Sequence, residues 1–270
     1  MIPVGFDYER PDSVDGALAL LAERGEDAKI LAGGHSLLPV MKLRLAAPEL
    51  VIDIGRIAEL RYIRVDGDEV AIGAGTRHHD LEASAEIAAE VPLLGAVART
   101  VGDPQVRHRG TIGGSLAHAD PASDLPAAVL ALGGTVVLRS PRGERSVPIT
   151  DFYTGVFSTV MEPDELVVEI RVPRTGTAGW AYEKFTRRAN DWAIVGVAVL
   201  DGRVGLVNMG QTPLRASATE AALAGGASID EAAALAAEGT DPPADLAGTK
   251  AYRAHLARVL TKRALTTAQG

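Results

Sequence analysis

The sequence predicts an α+β protein of two lobes followed by a strand-and-helix domain, and three observations carry that prediction. Helical and strand-like segments alternate over about the first 55 residues. Farther along, glycine-bearing turns join short β-branched runs into hairpins. After a glycine- and threonine-rich stretch at residues 175–179 the order changes again, with strands first and helices last. The chain has 270 residues with 47% hydrophobic content and only 4% aromatics, enough for several aliphatic cores.

Residues 11–24 place Val14, Ala17, Leu18 and Leu21 at helical spacing, with Asp12 or Ser13 as cap and Gly25 as stop. The apolar run Ile30-Leu31-Ala32, the Gly33-Gly34 turn, a helix from Leu37 and a strand at residues 51–54 complete the first lobe. Residues 62–65 and 70–72 flank Asp66-Gly67-Asp68 as a hairpin. Helical text fills residues 76–101. A second hairpin surrounds Pro141-Arg142-Gly143, and residues 166–172 form a further strand. Strands at residues 182–185, 193–200 and 204–209 follow, the last pair turned by Asp201-Gly202, then helices at residues 213–224 and 252–265. The expected division is 1–175, with lobes of about 1–55 and 56–175, and then 176–270.

A net charge of −8 offers no basic footprint for nucleic acid. No run of about 18 apolar residues predicts a membrane span, and the first residues lack a secretory pattern, so a cytoplasmic location is expected. With no cysteine, the chain forms no disulfide and ligates no iron–sulfur cluster through thiolates.

Two turns could carry chemistry. Ala32-Gly33-Gly34-His35-Ser36 lies between a short strand and a helix, where glycines let backbone N–H groups approach an anion. Thr111-Ile112-Gly113-Gly114-Ser115 repeats that pattern about 80 residues later. A glycine pair alone is more often a tight turn, as read at Gly133-Gly134 and Gly225-Gly226. Neither a P-loop nor a complete dinucleotide-binding fingerprint is present, since Gly73-Ala74-Gly75 lacks its third glycine.

The whole run from Leu31 through Leu45 resembles the medium, FAD-binding subunit of carbon monoxide dehydrogenases, within the molybdenum hydroxylases that include xanthine dehydrogenase. So do Asp103-Pro104-Gln105-Val106-Arg107, Gly110 through Ser115, Asp120 through Pro126, Asp164-Glu165-Leu166 and Tyr182-Glu183-Lys184-Phe185. The resemblance spans nearly the whole chain and is least diagnostic in the final helices. It implies the two-lobed FAD-binding fold shared with vanillyl-alcohol oxidase, plus a C-terminal domain. It further implies non-covalent FAD here, with the molybdenum cofactor in a large partner and [2Fe–2S] clusters in a small partner. Two such heterotrimers would pair. Electrons would pass from the clusters through FAD to an external acceptor.

Carried over by position, Ala32, Gly33, Gly34, His35 and Ser36, with Thr111, Ile112, Gly113, Gly114 and Ser115, would hold the FAD diphosphate and ribityl chain. Asp124 would accept hydrogen bonds from the adenosine ribose, and the Leu166 backbone would meet the adenine. Lys184 would lie near the flavin ring, where an ammonium stabilises negative charge on its reduced form. Without the resemblance, Asp124 reads as a helix cap and Lys184 as an exposed strand residue. His78, His79 and His108 read as surface or turn residues rather than metal ligands, His118 has no assigned role, and Arg187-Arg188 reads equally as a solvated pair or a partner contact. Rival readings are a self-contained FAD-dependent oxidoreductase and a scaffold whose glycine turns hold nothing. No general base or nucleophile is required of this chain.

Overall fold

A computed structural model describes all 270 residues. The first lobe is a three-stranded parallel sheet in which Leu50–Asp53 lies between Asp7–Glu9 and Ala28–Leu31. The helix Val14–Arg24 covers it through Val14, Ala17, Leu18 and Leu21, and its cap is Ser13, whose hydroxyl accepts from Gly16 N–H. These apolar residues join Leu50, Ile52, Ile57 and Leu60 in a separate core. The edge strand Asp7–Glu9 is exposed throughout, so it carries no alternating pattern from which a strand could be read.

The second lobe is built on an antiparallel sheet ordered Ile63–Asp66, Glu69–Gly73, Leu166–Pro173, Thr135–Ser140, Gly143–Pro148. Both hairpins stand where the turn residues put them, with Gly67 at φ 63° and Gly143 at φ 124°. The helical text of residues 76–101 divides into His78–Ala83, Ala85–Glu90 and Pro92–Arg99. Ser84 caps the second helix by accepting from Ile87 N–H, and Pro92 opens the third, where its missing N–H costs nothing. Short helices Ile112–His118 and Asp124–Leu132 follow, the latter buried along its whole length.

The third unit is the antiparallel sheet Trp180–Phe185, Val195–Leu200, Arg203–Val207, Leu214–Arg215, backed by the 20-residue helix Lys250–Gln269. Asp201 and Gly202 both have positive φ, 46° and 76°, as a two-residue hairpin turn of this twist requires. Val195–Leu200 is buried at every position: Val195, Val197 and Val199 face the C-terminal core, while Ala198 and Leu200 join the core of the second lobe. No helix is long and apolar enough to cross a membrane.

Candidate functional site

A cleft of about 540 Å³ opens between the lobes and reaches the third unit. That size falls in the roughly 300–1,000 Å³ range of small-molecule and cofactor sites. Every residue assigned to the cofactor by sequence lines it except Ile112. Ile112 packs its side chain into the second lobe's core, and its N–H donates to Thr76 O at 3.0 Å.

The two glycine turns face the same cleft with different backbones. In the first, the N–H groups of Ala32, Gly33, Gly34, His35 and Ser36 make no hydrogen bond within the chain. Gly34 takes φ 79°, which L side chains rarely adopt, and this turns the segment into the helix Leu37–Lys42. Gly33 lies against the second lobe, where an added Cβ would stand 2.3 Å from Arg109 O. Successive unpaired N–H groups in such a turn form an anion-binding concavity.

In the second turn the backbone is already committed. Gly113 N–H donates to Ala74 O at 2.9 Å, Gly114 N–H to Thr111 Oγ1 at 3.1 Å, and Ser115 N–H to Thr111 O at 2.9 Å. Thr111 is thus the N-cap of Ile112–His118. What this turn presents to the cleft is close glycine approach and the Ser115 hydroxyl, which has no partner in the chain.

Asp124 is buried, and both carboxylate oxygens are held: Tyr182 Oη donates to Oδ1 at 2.5 Å and Lys184 Nζ to Oδ2 at 2.8 Å. Lys184 Nζ also donates to Thr100 O at 3.0 Å, and its side chain is 9% exposed. Neither plain reading survives, since Asp124 is not an N-cap and Lys184 is not a solvated strand residue. Burial raises the Asp124 carboxyl above its usual range, opposed by the Lys184 charge and by hydrogen bonds from Lys184 and Tyr182. The same burial and the neighbouring carboxylate push the Tyr182 phenol well upward. Leu166 buries its side chain in the first lobe's core at the cleft edge.

Several other motif residues are structural. Arg107 donates to Glu82 at 2.8 Å and to the carbonyls of Val101 and Gly102, which line the cleft. Asp103 caps the short helix Pro104–Arg107 through Val106 N–H. Asp164 and Glu165 pair with Arg142 and Arg145 and fix the start of Leu166–Pro173. His118 lines the cleft and stacks on Phe157 with ring centroids 5.0 Å apart. Arg188 is an exposed partner of Asp191 at 3.2 Å.

His78 corrects the sequence reading. It is only 5% exposed, lines the cleft, and has a buried Nδ1 without a hydrogen-bond partner. Burial first, then the nearby His35 and Arg107, push its imidazole down to about 4. His79 and His108 remain a peripheral pair with rings 3.9 Å apart, and no His/Asp/Glu cluster has metal-site geometry. Tyr182 was missed as well, although its position two residues before Lys184 puts both on one face of the strand. Met161, Asn190, Asp191 and Trp192 also line the cleft, and none has a residue signature that separates it from ordinary loop text.

Unpaired N–H groups, a glycine whose Cβ would fill the lobe contact, an orphaned buried imidazole nitrogen and a paired carboxylate suit a long ligand with an anionic middle and polar ends. FAD fits that description. The family described as "FAD binding domain in molybdopterin dehydrogenase" matches residues 4–175, and "CO dehydrogenase flavoprotein C-terminal domain" matches residues 180–268. The carbon monoxide dehydrogenase medium chain of Hydrogenophaga pseudoflava is 47% identical, over 99% of this chain and 98% of its own. The glyceraldehyde dehydrogenase medium chain of Sulfolobus acidocaldarius is 38% identical over 98% of each. Among solved structures, a Hydrogenophaga pseudoflava carbon monoxide dehydrogenase lacking the Mo-pyranopterin moiety superposes with TM-score 0.96 at 48% identity, covering 100% of this chain and 99% of that one. The chain therefore belongs to the FAD-binding flavoproteins of the molybdopterin dehydrogenases, a family of oxidoreductase subunits.

Proposed function

We propose that this chain holds FAD non-covalently between its lobes and passes electrons from a small iron–sulfur partner to an external acceptor. The unpaired N–H groups of residues 32–36, facing the cleft, are the observation that carries this reading. FAD, when bound, supplies the two-electron chemistry. The protein's residues bind, orient and shield it. The first turn takes the diphosphate on its N–H groups, and Ser115 offers a hydroxyl from the opposite wall. Asp124 and Lys184 act as one unit because they are in contact. If Lys184 stands by the flavin ring, Asp124 meets a donor at the ring end of the cofactor rather than the distant adenosine ribose. Leu166, at the cleft edge, supports the adenine with its backbone.

Residues 1–175 are the cofactor-holding part in this reading, and residues 176–270 close one end of the cleft with Lys184. Medium chains named for carbon monoxide and for glyceraldehyde share the sequence pattern, so the large molybdenum-bearing partner selects the substrate. With no cysteine of its own, the chain receives electrons from clusters held in trans, in a cytoplasmic dimer of heterotrimers. The test is anaerobic. The assembled complex, given its hydroxylase substrate, bleaches its flavin absorbance, whereas the chain without its partners does not. Bleaching by the chain alone would establish a self-contained oxidoreductase instead.

A further inference from the structure

His78 opens the helix His78–Ala83 and is held there by its backbone, whose N–H donates to Gly110 O at 3.0 Å. Its ring edge lies against Gly110: an added Cβ at that glycine would meet Cδ2 and Nε2 at 2.7 Å. Gly110 Cα in turn stands 2.7 Å from the position a Cβ on Gly33 would take. Two glycines therefore make the room that brings this ring beside the first turn, where the backbone N–H groups are free. Packing against the second lobe does not require a histidine at this place, since no protein group bonds to the ring.

The two ring nitrogens differ. Nδ1 is sealed from solvent and unpaired, and a bare nitrogen lone pair is better tolerated there than an unpaired N–H. The proton of the neutral ring accordingly belongs on Nε2. We propose that His78 is a cofactor-holding residue whose Nε2–H donates a hydrogen bond to the diphosphate of FAD on the first glycine turn. The proposal rests on the FAD reading of the cleft. Burial disfavours the imidazolium in the FAD-free cleft, and a neutral ring with its proton on Nε2 can still donate. It also gives a role to a polar ring at a place where an aliphatic side chain would pack without an orphaned atom.

The experiment uses the assembled, FAD-loaded protein and compares the natural chain with His78→Phe and His78→Asn. FAD release into buffer is followed by flavin fluorescence, the two phosphorus resonances of bound FAD by ³¹P NMR, and the histidine tautomer by ¹⁵N NMR of the natural chain. Expected are release faster by about ten- to a hundredfold in His78→Phe, as for one lost hydrogen bond to a charged group, and a smaller effect in His78→Asn, whose amide still donates. One phosphorus resonance moves in both variants, and the natural chain carries its His78 proton on Nε2. Unchanged release with both resonances in place would overturn the proposal, as would a proton on Nδ1. Should His78→Phe not fold, His78→Asn and the tautomer of the natural chain decide the matter. A natural chain that purifies without flavin would instead overturn the FAD reading, which separates the two failures.

Discussion

In the first glycine turn the backbone N–H groups of residues 32–36 are unpaired and face the cleft, whereas in the second turn those of Ile112 through Ser115 are all bonded within the chain. The two segments share a Gly-Gly pair followed closely by a serine, yet one leaves its N–H groups unpaired at the cleft and the other is a helix start. On the wall facing the first turn, chemistry passes to side chains: the Ser115 hydroxyl, buried His78, and Asp124 with its two donors. One wall of the cleft therefore offers main chain that the fold leaves free. The other offers side chains, and burial shifts the pKa of His78 down and that of Asp124 up.

The largest effect should come from the side-chain wall. Lys184→Met leaves the Asp124 carboxylate buried without its cation, and breaking a buried pair from one side costs about 3–5 kcal/mol. For a chain of this size that corresponds to a drop of roughly 6–20 °C in unfolding midpoint. The double variant Lys184→Met/Asp124→Asn removes both charges and recovers most of the loss. A double variant no more stable than Lys184→Met would show that the pair does not act as a unit.

Acid sensitivity comes next. In the FAD-free chain His78 is held neutral in the fold with a pKa near 4, while the unfolded chain binds that proton near 6.5. Its contribution is therefore whole above pH 6.5 and is lost as pH falls toward 4, because the unfolded state takes up the proton first. The loss amounts to roughly 3 kcal/mol. His78→Phe should flatten this part of the pH–stability curve of the FAD-free chain, as followed by urea unfolding. An unchanged curve would mean that the ring is not held neutral.

Much of this was legible in the sequence. The hairpins at Gly67 and Gly143, the capped helix after Ser13 and the amphipathic last helix follow from turn chemistry and periodicity. The glycine turns announced themselves as a pair, and the shared pattern concealed their difference. Whether an N–H is free depends on partners such as Ala74 O and Thr76 O, which lie far off in sequence. The ion pair spans 60 residues, and the burial of His78 depends on Gly110, so neither had a local signature. The exposed strand Asp7–Glu9 and the fully buried helix Asp124–Leu132 are both without polar–apolar alternation, for opposite reasons.

Glycine substitutions sharpen the contrast because two similar changes should be read out differently. An alanine Cβ at Gly113 would stand 2.5 Å from Ala74 Cβ, inside the second lobe, so Gly113→Ala should act on stability. Overpacking of this kind costs about 1–3 kcal/mol, or some 2–12 °C in midpoint. At Gly33 the Cβ would meet Arg109 O across the lobe contact, so Gly33→Ala should push the lobes apart and lower FAD occupancy as well as stability. Calorimetry and flavin content per chain separate the two. The distinction between the turns collapses if Gly113→Ala loses flavin with its midpoint intact.

The smallest effect should come from Ser115, and it tests the side-chain wall most directly. Its N–H is already bonded to Thr111 O, so the serine owes its place in the helix Ile112–His118 to the cap and not to its hydroxyl. That hydroxyl bonds to nothing in the chain and faces the cleft. Ser115→Ala therefore removes no protein contact, and alanine is the better helix former, so the unfolding midpoint should hold or rise slightly. Only cofactor affinity should respond, by the roughly 0.5–1.5 kcal/mol of a single hydrogen bond, which is a factor of about 2–13 in dissociation constant. Ser36→Ala is the matched control on the first wall, because its N–H continues to offer a donor after the hydroxyl is gone. Fluorescence titration with FAD should therefore find the larger change at Ser115. Equal effects at both serines would mean that the first turn also binds through its hydroxyl, and that free main chain alone does not distinguish the two walls.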